Sequence, residues 1–285
     1  VNVLVPPEDY GFTRGGKSTV FYTGQTTRLK QAAELKKDMN DAASTKTLLD
    51  NMFNSGTGFT DTYINTRIEY DGTPFVGWQT QENGISIQKE LEVAAQKLIG
   101  EPTHIQGAGR TDSGGHAIGQ AAHLDVPSKY TTRSVMMGLN SYLDASPISI
   151  LSAEKVDAEF NARFDAIERH YLYRIFTRNV RPRVKKFRVW HITKELDIEA
   201  MKSAARHLVG THDFTSFRAS QCQAKSPVRT MESIEIEKVD DEIHIKAIAR
   251  SFLHNQIRNI TGSLVEVGKG RWQSEKIKEI RDAKD

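Results

Sequence analysis

Apolar residues recur along the chain with two periods, one helical and one alternating, and their succession outlines a mixed domain. Ile87, Leu91, Ala94, Ala95, Leu98 and Ile99 follow the i, i+4, i+7, i+8 spacing of one helix face, so a helix is predicted there. The same reasoning predicts helices over 27–40, 131–143, 197–209, 253–267 and 274–283, the third of these stopped by Gly210. Strands are predicted over 66–70, 103–108, 117–126, 148–156 and 169–176. Two more, over 231–239 and 242–249, read as a hairpin around Asp240-Asp241, with Ile234, Ile236, Ile243, Ile245 and Ala247 alternating. Helices and strands intermixed, with a hairpin among them, give α+β as the fold class.

Residues 1–62 read differently. Pro6-Pro7, Gly11, Gly15-Gly16 and Gly24 come early, and Asn54-Ser55-Gly56-Thr57-Gly58 has the composition of a linker. Seven basic and seven acidic side chains make this segment neutral, so the net charge of +3 arises downstream. With 285 residues, 38% hydrophobic and 26% charged, the chain is large enough for a real core and is not of disordered or coiled-coil composition. The single cysteine, Cys222, excludes an internal disulfide framework and a multi-cysteine zinc site, and suits a reducing compartment such as the cytoplasm. No long apolar run or signal-peptide pattern marks the sequence, so no membrane association is expected.

Candidate chemistry concentrates in Gly107-Ala108-Gly109-Arg110-Thr111-Asp112-Ser113-Gly114-Gly115-His116, between two predicted strands. Four glycines permit close backbone approaches, and an Asp beside a cation stays ionised, which makes Asp112 a candidate nucleophile or acid/base group. A Gly-rich turn with a structural Arg and Asp pair would have the same composition. The loop does not complete GxGxxG, and no GxxxxGK[ST] occurs, so a nucleotide cofactor is disfavoured. The histidines lack metal-ligand spacing, and no metal is expected. Arg181-Pro182-Arg183-Val184-Lys185-Lys186-Phe187-Arg188 holds five basic residues in eight, a natural phosphate contact or a solvated face.

The loop GAGRTDSGGHA strongly resembles the GRTDxGVHA signature of the TruA-type tRNA pseudouridine synthases. Ile68 to Gln79 (IEYDGTPFVGWQ) is similar to that family's opening strand and GWQ motif, and Phe160-Asn161-Ala162-Arg163-Phe164 and Arg169-His170-Tyr171-Leu172-Tyr173 to its F-x-A-R-F and R-x-Y-x-Y elements. Ser251 to Gly262 (SFLHNQIRNITG) resembles its third active-site motif. The resemblance covers about 63–285 and implies two RRM-like α/β subdomains, 63–167 and 168–285, whose mixed, largely antiparallel sheets meet at a central cleft. It implies isomerisation of uridine to pseudouridine in the anticodon stem-loop, at positions 38–40, without a cofactor, by a homodimer that binds tRNA. Asp112 would be the catalytic carboxylate, Tyr171 the ring that stacks on the target base and Arg258 the partner of the carboxylate. Arg110, His116, Arg163, Arg169, Arg181, Arg183, Lys185 and Lys186 would face RNA. A glycal route and a covalent adduct both fit.

Departures from the pattern carry their own expectations. Gly115 stands where Val is usual, which should loosen the loop, and Asn161 stands where His is common. The chain begins at Val1, as a processed or partial chain would, and stops where family members continue into a tail and a last strand, so an incomplete site is expected. Residues 17–29 distantly resemble the start of an uncharacterised bacterial lipoprotein domain, and 1–62 is expected to be extraneous to the synthase. The alternatives are a catalytically impaired tRNA-binding protein of the same fold, and a carboxylate-dependent nucleoside or glycoside hydrolase, which would need a second acid beside Asp112.

Overall fold

The computed structural model describes residues 2–4, 19–22 and 61–285. The helix expected over 27–40 lies outside the described residues. Two sheets form the frame. The first is antiparallel and runs β4 (Gln106–Gly107), β5 (Ala117–Pro127), β3 (Asp61–Tyr70), β6 (Ile148–Val156). Helices α1 (Ile87–Ile99) and α2 (Thr132–Tyr142) pack on it. The second runs β7 (Arg169–Phe176), β11 (Glu242–Ala249), β10 (Val228–Val239), β9 (Gly210–Asp213), antiparallel throughout. Short β8 (Trp190–His191) lies parallel to β7, and β1 (Asn2–Leu4) and β2 (Thr19–Tyr22) run along the edge of β7. Helices α3 (Ile198–Arg206), α4 (Gln256–Gly268) and α5 (Glu275–Ala283) complete this half. The arrangement is α+β, as expected.

Local chemistry explains the element boundaries. Ser86 caps α1 by accepting from Lys89 N–H at 3.1 Å, and Gly100, at φ 97°, ends it in the left-handed conformation. Thr131 and Ser134 form a reciprocal capping box at α2. The strand expected over 103–108 shrinks to the two residues of β4. Glu92 Oε1 takes the Ile105 N–H and Gln88 Nε2 donates to the Ile105 carbonyl, so side chains of α1 satisfy backbone groups a longer strand would have offered to β5. The helix expected from 253 begins at Gln256 because Asn255 is left-handed (φ 58°) and Gln256 Oε1 accepts the Leu253 N–H. β3 starts at Asp61, two residues before the expected start of the synthase region, and sits between β5 and β6.

Ile64, Ile68, Leu91, Leu124 and Leu139 are fully buried beneath the first sheet, and Met201, Phe214, Phe217 and Leu264 beneath the second. A carboxylate is nearly as deep. Glu242 opens β11 with its carboxylate buried, bound by Arg174 through Nε and Nη2, each at 2.6 Å, by His244 Nε2 at 2.9 Å and by Lys185 Nζ. Burial alone would raise its pKa; the hydrogen bonds from His244, Arg174 and Lys185 outweigh that and hold it far below the usual carboxylate range. Because the folded value is depressed, this contribution to stability is complete above the ordinary value of about 4.5 and is lost as pH falls below it. Glu242→Gln should therefore lose about 2 kcal/mol at pH 7 by urea unfolding, and its stability should decline less steeply than that of the parent as pH falls from 5 to 3.

Candidate active site

Residues 108–116 form the loop from β4 to β5, and the preceding segment, 70–78, wraps around it. Trp78 N–H donates to the Thr111 carbonyl at 3.0 Å, Gly114 N–H to Phe75 at 3.1 Å and Gly115 N–H to Asp112 at 2.9 Å. Tyr70 Oη donates to Thr111 Oγ1 at 3.2 Å, and Gln120 Nε2 to the Gly109 carbonyl at 2.7 Å. Two glycines of the wrapping segment are required by contact. A Cβ on Gly72 would lie 1.8 Å from the Gly115 carbonyl oxygen, and one on Gly77, at φ 122°, would lie 2.7 Å from that of Thr111. Gly115 was expected to slacken this loop. Instead, its own backbone supplies the fastening, through its N–H to Asp112 and its carbonyl against Gly72.

The loop faces a cleft of about 1070 Å³ between the sheets, and Asp112 projects into it. Arg258, in the first turn of α4, places Nε 3.4 Å from Asp112 Oδ2, and His254, just before that helix, places Nε2 3.5 Å from Oδ1. Asp112 raises the pKa of His254 by hydrogen bonding, against the opposing effects of partial burial and of Arg258. Tyr171 lines the same cleft from β7, 8% exposed and edge-on to Phe252 at 4.5 Å between ring centroids. Asp112, Tyr171 and Arg258, distant in sequence, thus meet in one cleft.

Electrostatically the cleft is lopsided. Among the described residues lining it, Asp112 is the only acid, facing Arg110, Arg163, Arg169, Arg229 and Arg258. Arg110 is exposed, and its pKa is lowered by partial desolvation and by the charge of Arg163. Two neighbouring guanidinium groups that repel one another suit a polyanion. A hydrolase with paired carboxylates finds no second acid in this lining. Among the described residues no cluster of His, Cys, Asp or Glu is arranged to hold a metal, and no helix is long and apolar enough to cross a membrane.

The other predicted RNA-facing residues divide by burial. Arg163 is exposed in the cleft, and Arg181, Arg183 and Lys186 are exposed outside its lining. Lys185 is tied to Glu242. His116 and Arg169 turn inward. His116 is 4% exposed, its Nδ1 accepting from Gly72 N–H at 3.2 Å and its Nε2 meeting the Phe187 carbonyl at 3.1 Å, which leaves the ring no free face for RNA. Arg169 is 9% exposed; Nε donates to the Ala108 carbonyl at 3.1 Å, Nη2 to that of Arg163 at 2.8 Å and Nη1 to that of Arg250. Asn161 caps the turn that holds Arg163, its Oδ1 accepting from the N–H groups of Arg163 and Phe164. Sequence reasoning missed His254 and Phe252 as site residues, although both stand in SFLHNQIRNITG, four or six positions before Arg258.

Comparison with known proteins shows the family. Residues 67–165 and 204–285 match the family model described as tRNA pseudouridine synthase, and the unmatched interval holds Tyr171 and the basic run. Residues 7–73 match a model described as a domain of unknown function (DUF4856). The chain is 48% identical over 218 residues to the tRNA pseudouridine synthase A of Maricaulis maris, covering 76% of this chain and 88% of that one. It is 50% identical over 220 residues to the protein of the same name from Sinorhizobium fredii, covering 76% and 89%. For that of Rhodospirillum rubrum the identity is 48% over 218 residues, covering 76% and 78%. A family match over more than half the chain, joined to these identities, means that the chain belongs to the tRNA pseudouridine synthase family.

Proposed function

We propose that this chain isomerises uridine to pseudouridine in tRNA with Asp112 as its catalytic carboxylate. The observation that carries the reading is a single acid, paired with Arg258, among the described residues of a cleft whose lining also holds four further arginines and Tyr171. The reaction breaks the C1′–N1 bond and forms C1′–C5; the C5 proton goes to solvent and N1 takes one up, so atoms balance without a redox partner. An ionised carboxylate serves either route, by taking a proton from the sugar at C2′ or by forming a transient bond to the sugar. Arg258, 3.4 Å from Oδ2, holds the carboxylate in place. Reaching the base requires taking it out of its stack, and stacking against an aromatic side chain such as Tyr171 offsets about 1–3 kcal/mol of that cost.

The RNA would enter over Arg110 and Arg163 and run toward the exposed cations Arg181, Arg183 and Lys186. Lys185, tied to Glu242, is the least available of that run. The proposal includes a uridine of the anticodon stem-loop, at positions 38–40, as target, a homodimer as the working form and the cytoplasm as its compartment. The catalytic region would run from near residue 63, in β3, with its two halves meeting near 167, and residues 1–62 would lie outside it.

Three measurements test this reading. Tritium release from tRNA labelled at uracil C5 should fall by about 10³-fold or more in Asp112→Ala, as for loss of a nucleophile; undiminished release would exclude Asp112. In NMR titrations, His254 should titrate above its ordinary value of about 6.5 in the parent and below it in Asp112→Asn, where only burial and Arg258 remain to act on it. The same sign applies to stability, since the His254–Asp112 pair contributes fully below about pH 6.5 and is lost as pH rises through the folded value. Replacing Arg183 and Lys186 with Ala should flatten the dependence of log tRNA affinity on log salt by about two units, one per phosphate contact.

A further inference from the structure

The connection from β7 to β8, residues 177–189, carries the basic run and is fastened to both sheets. Lys185 binds Glu242 of the second sheet. On the other side the Phe187 carbonyl meets His116 Nε2 at 3.1 Å, and Arg188 Nη2 lies 2.6 Å from Asp71 Oδ2. A carbonyl can only accept, so His116 carries its proton on Nε2. The other ring nitrogen, Nδ1, accepts from Gly72 N–H at 3.2 Å, which ties the ring to the residue after Asp71, and Asp71 itself accepts from the N–H and hydroxyl of Thr73. Phe187 is held at φ 64°, a left-handed conformation that is unfavourable for a side-chain-bearing residue and persists only where its surroundings impose it. His116 directly follows Gly115, whose N–H is bonded to Asp112, and Gly72, next to Asp71, presses on the Gly115 carbonyl.

We infer that Asp71, His116 and Arg188 form a positioning bridge through which tRNA phosphates seated on Arg183 and Lys186 fix the loop that carries Asp112. Arg188 acts here through Asp71 and not as a phosphate contact. The strained Phe187 carbonyl and the buried imidazole make the bridge stiff, so a shift of the basic segment reaches the loop instead of dissipating in side-chain motion. The bridge rests on the reading of Asp112 as the catalytic carboxylate.

The test uses the full chain with tRNA and compares Arg188→Ala, Asp71→Asn, the double variant and Arg188→Lys, with kcat taken per folded molecule from the unfolding curve at the assay temperature. Each single variant should lose about tenfold in kcat, because misplacement of a catalytic group acts on the chemical step. The Kd for tRNA should stay within about threefold and its salt slope should be unchanged, since a partly exposed ion pair adds little to binding. The double variant should be no slower than the slower single variant, since both remove one bridge, and Arg188→Lys should recover most of the rate. Additive losses, an unchanged kcat, or a weakened Kd with a flattened salt slope and intact kcat would overturn the bridge. An Asp112→Ala control separates the two levels: if it is inactive while Arg188→Ala is fully active, the bridge alone fails, and if it is active, the catalytic reading fails and the bridge with it.

Discussion

Arg169 is a buried cation bound to backbone carbonyls, and the meeting of the two halves depends on how its charge is satisfied. Removing a guanidinium from water costs several kcal/mol unless its donors are engaged. Arg169 engages them on three backbone carbonyls: Ala108 at the root of the Asp112 loop, Arg163 in the connection between the sheets, and Arg250 at the end of β11, just before the segment that leads to Arg258. Asp112 belongs to the first sheet's side and Arg258 to the second's. Around their 3.4 Å contact, a third residue ties both backbones to one planar group. Burial lowers the pKa of Arg169, so the clamp is held at an electrostatic cost, and a lysine, with no planar fork, could not span the same three acceptors.

What the sequence made legible follows the range over which its signals act. Helical and alternating periods are local, and the long elements they predict are present, with boundaries moved where a side chain took over a backbone group, as Glu92 and Gln88 do at Ile105. The resemblance supplied Asp112, Tyr171 and Arg258 because each stands in a motif of fixed spacing. The inward roles of His116 and Arg169 had no such signal. Their partners lie 71 residues away at Phe187 and 61 residues away at Ala108, and no period or spacing reports a contact of that separation. The expectation that both face RNA came from the resemblance alone; the packing of the two sheets buries both.

Gly115 shows how a local rule can mislead in the other direction. Replacing a β-branched residue with glycine ordinarily raises the entropy of a loop. Here the loop's rigidity comes from neighbours. Thr111 is held by Trp78 and Tyr70, Gly109 by Gln120, and Gly114 by Phe75. Gly72 permits a backbone approach so close that a methyl group at that position would collide with the Gly115 carbonyl. Stiffness of the Asp112 loop is thus distributed over the 70–78 segment, and a side chain at position 115 is not needed to provide it.

The charge balance of the cleft connects this scaffold to its chemistry. Five arginines and one aspartate leave the described lining strongly positive, and the lowered pKa of Arg110, due to desolvation and then to the charge of Arg163, reflects it. Such a surface is poorly compensated until a polyanion enters, so electrostatic attraction favours the nucleic acid backbone before any base is read. Asp112 stands in the same cleft, with Arg258 on one oxygen and His254 on the other. Two demands that could conflict, binding a polyanion and presenting a carboxylate to it, are reconciled by geometry. The cations that can meet phosphates stand exposed, Asp112 lies half-buried between partners of its own, and its negative charge is offset before the RNA arrives.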